Sequence, residues 1–388
     1  MKQKSIWLLT GLLLLKAYGL RAQEVNAEYV DSVVNSKIQS QGENNSKFLL
    51  SGYTFITAQF SKEQSSFSGV GISPILLWKP TKNILVETEL EIGIDGAETG
   101  VELGYADAAF FLNKYLTIRT GKFTSPFGIF QDRLHPGWIN KLPTVPVGTG
   151  EDELGVGPTS EIGVDFRGGV PLGSAKMNYS VFLANGAQLI TDPSESGKQG
   201  TLSYGNAAAI SKKFTVGGRL GLLPFSNSSL ELGVSYRNGN VGERNSDYAK
   251  VGAQMYALDL TYVKQLDFLK GLFDVKAQLN HVKVDNTNYI DAADPTGNTT
   301  YTYNNKRSSF FTQAAYRPTM SQSKFLKKTE LVFRYAGFTP PDGAKDLEKI
   351  NQYTYGITYW CNWKTACKIA YQSQKNNNVF FVQVAVGF

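Results

Sequence analysis

The sequence predicts an all-β chain: a transmembrane antiparallel β-barrel of about 16 strands, with short periplasmic turns and long external loops. Three observations carry that expectation. Segments of strict period-two alternation recur through most of the 388 residues, with large apolar side chains on one face and small or polar ones on the other. No apolar run reaches the roughly 18–20 residues that a membrane helix needs. The composition is rich in Gly (38), Phe (23), Tyr (20) and Trp (5) but holds only 2 Cys. That suits many strands, tight turns and aromatic belts, and not a disulfide-stapled secreted domain.

In chain order, the first 22 residues carry Lys2 and Lys4, an apolar stretch from Ile6 to Leu15, and a small residue at Ala22. This is a secretory signal whose apolar region is too short to span a bilayer. Residues 23–46 are polar, with weak helical spacing at Val30, Val33, Val34 and Ile38, and are expected to form a periplasmic extension. The barrel is expected over residues 47–388. Export combined with a membrane β-pattern points to the outer membrane of a bacterium. The formal charge of +6 is misleading, because Lys2, Lys4, Lys16 and Arg21 leave with the signal; 39 basic residues become 35 against 33 acidic. Nothing in that balance, and no basic aromatic patch, suggests nucleic acid.

Sixteen alternating segments follow, at 48–60, 68–78, 84–93, 99–112, 116–123, 160–167, 175–183, 215–222, 230–237, 251–263, 273–283, 308–317, 329–336, 353–360, 365–372 and 379–388. Each is about the ~9–11 residues that a tilted membrane strand needs. Connectors alternate between short turns and long polar loops at 124–159, 184–214, 284–307 and 337–352, and a further strand is expected to hide in 184–214 or 284–307 if one was missed. An even strand number places both termini in the periplasm.

Face patterns sharpen the picture. Leu230, Leu232, Val234 and Tyr236 lie opposite Glu231, Ser235 and Arg237, and Tyr256, Leu258, Leu260 and Tyr262 lie opposite Asp259 and Thr261. Aromatics near Tyr359, Trp360 and Trp363 sit at strand ends, where an interfacial belt puts them. The segment 104–112 breaks alternation, and a bulge at Ala106 reconciles it. In the last segment Phe380, Val382, Val384, Val386 and Phe388 share the apolar face. Such a strand ending in Phe388 resembles the C-terminal insertion signal of outer-membrane barrels, which the barrel-assembly machinery reads. Cys361 and Cys367 flank a turn on the outward face, as two free thiols or one cross-strand disulfide.

The loop 124–159 leaves the fifth strand through Gly121, Lys122, Phe123, Pro126, Phe127 and Gly128. In this run, and in its sixteen-strand layout, the chain resembles the phosphate-selective porin O/P family, and especially that family's Bacteroidota-type relatives. The resemblance implies a water-filled channel, often a homotrimer, with the third external loop folded inward as a constriction. Trp138, Ile139 and Leu142 are apolar anchors suited to packing such a loop on the wall. Its charged residues are Asp132, Arg133, His135 and Lys141 early, and Glu151, Asp152 and Glu153 late. One arm is expected to face an acidic column of Glu87, Glu89 and Glu91 and the other Arg119, Arg167 and Arg219.

The inward faces predict a mixed pore lining. Arg119, Arg167, Arg219, Arg237, Lys276, Arg334 and Lys368 stand against Glu87, Glu89, Glu91, Glu161 and Asp165, joined by Glu102, Glu231, Asp259, Asp274 and Glu330. Glu87, Glu89 and Glu91 form an acidic column on one strand. Opposed acidic and basic walls favour small polar solutes rather than one ion sign, so phosphate selectivity is not expected. The two histidines, His135 and His281, show no spacing to a nucleophile, so an enzyme is not expected. No metal-ligand spacing, cofactor motif or phosphate-cradling loop is present. The expected partners are outer-membrane lipid and small polar solutes or ions. Passive diffusion through a porin is therefore expected. A barrel plugged by the 124–159 loop, serving a structural or surface-interaction role, is the alternative, and a channel for hydrophobic substrates is a weaker one.

Overall fold

The computed structural model describes residues 47–388 apart from 96–97, 151–153, 196–197, 209–210, 212, 292–298, 344–346 and 376. The expected signal and periplasmic extension, and Glu151, Asp152 and Glu153 of the loop, lie outside the described residues.

The strands are β1 (Lys47–Ser61), β2 (Ser65–Thr81), β3 (Ile84–Asp95), β4 (Glu98–Phe111), β5 (Thr117–Thr124), β6 (Ser160–Leu172), β7 (Ala175–Ala184), β8 (Gln188–Leu189), β9 (Leu202–Ser203) and β10 (Thr215–Leu223). They continue with β11 (Leu230–Asn240), β12 (Gly252–Leu266), β13 (Gly271–Val284), β14 (Tyr289–Ile290), β15 (Thr300–Tyr301), β16 (Lys306–Arg317), β17 (Thr329–Thr339), β18 (Ile350–Trp360), β19 (Thr365–Gln374) and β20 (Asn377–Gly387). Sixteen of them close an antiparallel barrel in the order β1 to β7, β10 to β13 and β16 to β20, with β20 pairing back onto β1. The gaps 184–214 and 284–307 hold the two-stranded ribbons β8–β9 and β14–β15, neither of which joins the wall. Each expected segment falls on one barrel strand. Among the described residues no helix is long and apolar enough to cross a membrane.

Burial is inverted relative to a soluble sandwich. Leu258 is 56% exposed, whereas its neighbour Asp259 is 6% exposed. Val234, Leu258 and Leu279 are cross-strand partners on three successive strands, and all three are exposed. Charged residues such as Arg237, Arg334 and Asp165 are buried inside. A continuous apolar exterior around a charged interior is solvated by lipid, and the closed ladder leaves no unpaired strand edge. Aromatic pairs reinforce the exterior, as where Tyr335 stacks on Tyr353 at 4.8 Å.

The seam follows from the last strand. Phe380, Val382, Val384 and Phe388 point outward, and Phe381, Gln383 and Ala385 point inward. The Phe388 amide donates to the Gly52 carbonyl (2.9 Å), and the Gly52 amide donates back to the Phe388 carbonyl (3.2 Å).

Two expectations are corrected. The bulge lies at Gly104 rather than Ala106, because Glu89 pairs with Tyr105 while Leu90 pairs with Leu103. This turns Tyr105, Asp107 and Ala109 inward together and frees Phe110 to face out. Trp360 does not join the outer belt: its indole is 3% exposed and donates to Glu330 Oε2 at 2.8 Å, inside the wall. Cys361 and Cys367 are free thiols with sulfurs 3.8 Å apart.

The apolar core sits inside the barrel, at the end carrying the long connections. There Phe127, Phe130 and Val156 of the 125–159 segment pack with Met255, Val282, Tyr289, Phe311 and Phe338 from β12 to β17.

Candidate functional site

The site is the barrel interior, and the segment between β5 and β6 organises it. Its neck is closed by the Ser125 amide donating to the Thr159 carbonyl at 3.0 Å. Gly128 then turns the chain with a φ of +68°, and a Cβ there would collide with the Gln278 amide group. Both demands select glycine. The turn presents three amides to the wall: Gly128 N donates to Ser235 Oγ (3.0 Å), and Ile129 N and Phe130 N both donate to Gln278 Oε1 (2.7 and 2.9 Å). A short wide helical turn, Phe130–Leu134, follows.

Further along, the segment is bonded to strands of the far wall, among them β11, β13, β16, β17, β18 and β19. Arg133 meets Glu231 at 2.7 Å. Lys141 sits between Asp274 (2.8 Å) and Glu330. Burial disfavours the Lys141 charge, but the two carboxylates outweigh it and hold the ammonium pKa above the usual lysine value. The Thr358 hydroxyl donates to the Lys141 carbonyl (2.5 Å), Arg334 donates to the Thr144 carbonyl (2.8 Å), and Ser309 donates to the Gly148 carbonyl (2.9 Å). Lys368 donates to the Gly137 carbonyl. Leu142 packs among Ala315, Val332, Ala370 and Phe381, and a Cβ on Gly356 would run into it. Trp138 meets Trp363, in the turn between β18 and β19, edge to face at 6.3 Å. The segment therefore runs from the long-loop end to the short-turn end and back.

The predicted charges divide into two groups. Arg119 bonds Asp165 at 3.0 Å, and Arg237 bonds Glu161 at 2.7 Å. Arg219 holds Asp259 at 2.5 Å and Glu231 at 3.0 Å, and Lys276 holds Asp274 at 2.5 Å. With Arg334 and Lys368 on loop carbonyls, these cations are spent on carboxylates of the barrel wall or on the 125–159 segment, and all are buried. Uniform opposed acidic and basic walls are not what this arrangement gives. Within the early arm, His135 reaches Glu89 and Glu91, Asp132 lies 3.7 Å from Arg167, and Arg133 and Lys141 go to carboxylates of the far wall; Glu151, Asp152 and Glu153 of the late arm lie outside the described residues.

The second group lies on the other side, where Glu91 and Glu102 face open space. A cavity of about 460 Å³ lies between the segment and the wall of β1 to β4, lined by Tyr53, Glu91, Glu102, Tyr105, His135 and Gln383 among others. The Glu102 side chain is 61% exposed and Lys122 approaches it at 3.8 Å. Glu91 is exposed, Glu87 and Arg167 are half-buried, and Glu89 is buried. His135 Nδ1 lies 2.5 Å from the Gln131 carbonyl. Ligand atoms of Glu89, Glu91 and His135 all lie within 4.8 Å of one another, a grouping able to hold a metal ion that sequence spacing did not reveal. Sequence reasoning also missed Gln278, Ser235 and Thr358 as anchors. Their signal was a polar residue on the inward face with no charge to explain it.

No protein-family model and no curated protein matches the sequence. Solved structures match in fold. OmpF of Salmonella typhi, in complex with daunomycin, superposes with a TM-score of 0.57 at 12% identity, over 89% of this chain and 98% of that one. The fold is that of bacterial outer-membrane porins. The outer-membrane channel DcaP of Acinetobacter baumannii gives 0.52 at 13% identity, over 89% and 99% of the two chains. An anion-selective porin from Comamonas acidovorans gives 0.52 at 12%, over 88% and 100%.

Proposed function

We propose that this chain is an outer-membrane porin that lets small hydrophilic solutes or ions diffuse passively through a water-filled lumen. In this reading the 124–159 loop is the inward-folded constriction and the long connections face outside. The observation that carries it is the anchoring of 125–159 on the inner face of six strands, with a 460 Å³ cavity left beside it. The motif that resembles the phosphate-selective porin O/P family has a backbone reason at Gly121 and Gly128, whose φ values are +126° and +68°. Phosphate selectivity is not part of the proposal, because the buried cations are already engaged. The pore lining narrows to Glu87, Glu91, Glu102, Arg167 and His135, an acidic set that favours cations. A homotrimer, a cleaved signal over residues 1–22, and recognition of the Phe388 strand by the assembly machinery complete the reading.

A plugged barrel with a structural or surface-interaction role is the second reading, favoured by the interior cluster of Phe130, Met255, Tyr289 and Phe338. Replacing residues 132–154 with a short Gly-Ser bridge separates the two. The bridge preserves the Ser125–Thr159 neck, and the strand ladder stays closed. Unit conductance should rise above that of the parent, since a sixteen-strand wall leaves an aqueous channel unless something fills it. A folded, inserted variant that conducts no more than a conducting parent contradicts the constriction. A silent parent favours the plugged barrel.

A further inference from the structure

We infer that Glu89, Glu91 and His135 form a divalent-cation site of transition-metal character, set in the wall of the lumen. Two carboxylates and one imidazole offer ligand atoms within 4.8 Å of one another. Glu89 and Glu91 are two residues apart on β3, so the pleat turns both to the same inner face. Gly104, the bulged residue on β4, leaves room there, since a Cβ at that position would meet Glu91 Oε1 at 2.7 Å. His135 enters from the opposite side, at the end of the helical turn of the loop.

Two features separate this cluster from a chance gathering of acids. His135 Nδ1 lies 2.5 Å from the Gln131 carbonyl, so the Nδ1 proton is donated there and Nε2 is the nitrogen able to coordinate. An imidazole oriented through its other nitrogen by a carbonyl is the usual outer-shell support of a metal-binding histidine. The Tyr53 hydroxyl, hydrogen-bonded to Glu89 and Ser73, supports the buried carboxylate in the same way. The site is also accessible: Glu91 and His135 line the cavity, which leaves the remaining coordination positions to water. Imidazole with carboxylates selects Zn²⁺, Ni²⁺ or Co²⁺ over the hard cations Mg²⁺ and Ca²⁺. A bound ion would tie the loop to the acidic column across the channel and narrow it.

The effect on current rests on the proposed water-filled lumen; the binding does not. The full chain, folded in detergent and stripped with EDTA, is titrated with ZnCl₂ by isothermal calorimetry, while planar-bilayer currents are recorded over the same concentrations. Saturable zinc binding is expected, with no comparable signal from MgCl₂, and current that falls with zinc and returns with EDTA. His135→Ala should weaken zinc binding at least about tenfold. Glu91→Gln, at an exposed side chain, should do the same, so one poorly folded variant does not decide the matter. Absence of saturable zinc binding, or equal affinity in parent and both variants, overturns the site. Binding without any current in the parent would leave the site standing and remove the channel reading instead.

Discussion

Replacing Lys141 with Met tests how the interior loop is held. Lys141 Nζ lies 2.8 Å from Asp274 and in contact with Glu330, and all three residues are buried. Asp274 keeps Lys276 at 2.5 Å, and Glu330 keeps the Trp360 indole at 2.8 Å. Each carboxylate is still left one donor short in a buried site. Removing one partner of a buried ion pair costs about 3–5 kcal/mol. The barrel ladder is untouched, so this cost falls on docking of the loop and shifts the docked fraction by roughly two to four decades. Anchors at Gln278, Arg334 and Thr358 remain, so the loop loosens at its tip rather than leaving. Single-channel current should become larger and noisier, trypsin should cut at Arg133, and heat-modifiable mobility should be retained. Lys141→Met with Glu330→Gln should recover part of the loss, because the orphaned charge is then removed. The pH dependence has a definite sign. The folded pKa of Lys141 is raised, so its contribution is fully present below the ordinary lysine value of about 10.4 and is lost only as pH climbs through the higher folded value. Deprotonation of Lys141 therefore should not loosen the loop between neutral pH and about 10. Parental current and protease resistance in Lys141→Met would refute the anchoring argument.

Two further substitutions probe the wall. Leu258→Arg puts a cation into lipid at a residue 56% exposed in the middle of β12, at a cost of about 2–4 kcal/mol near the midplane; Leu258→Tyr, which copies the neighbouring outward Tyr256, should be tolerated. Equal folded yields of the two would contradict the face assignment. Removing Phe388 deletes its reciprocal backbone bonds with Gly52 and the Ser51 hydroxyl bond to its carbonyl (2.8 Å), so assembled protein should fall. Normal yield and heat-modifiable mobility would show that the seam does not depend on it.

The strands were legible because period-two alternation is local, and a lipid-facing stripe of Tyr256, Leu258 and Leu260 needs no knowledge of distant residues. The bulge was placed two residues late, although Gly104, a glycine inside a strand, was itself the signal. The inward direction of the charges could be read, but their partners could not. Arg237 finds Glu161, and Arg219 finds Asp259, only once the barrel curls and brings separate strands together. Trp360 was misplaced for the same reason: belt aromatics are assigned by position, and nothing local revealed Glu330 beside it. The interior apolar cluster had a signal that went unread, since Ala253, Met255 and Ala257, with Val251 just before the strand, make the inner face of β12 apolar near the long-loop end. His135 lies far along the chain from Glu89 and Glu91, and only folding of the loop against β3 unites them.

Single-channel recording of the purified full chain in planar bilayers, with unequal KCl on the two sides, tests the central claim most directly. Discrete ohmic openings with a reversal potential of cation-selective sign are predicted, because Glu91 and Glu102 line the open side while most of the inner cations are engaged. Folded, inserted protein that passes no current would contradict the channel, and openings with an anion-selective reversal would contradict the assignment of its wall.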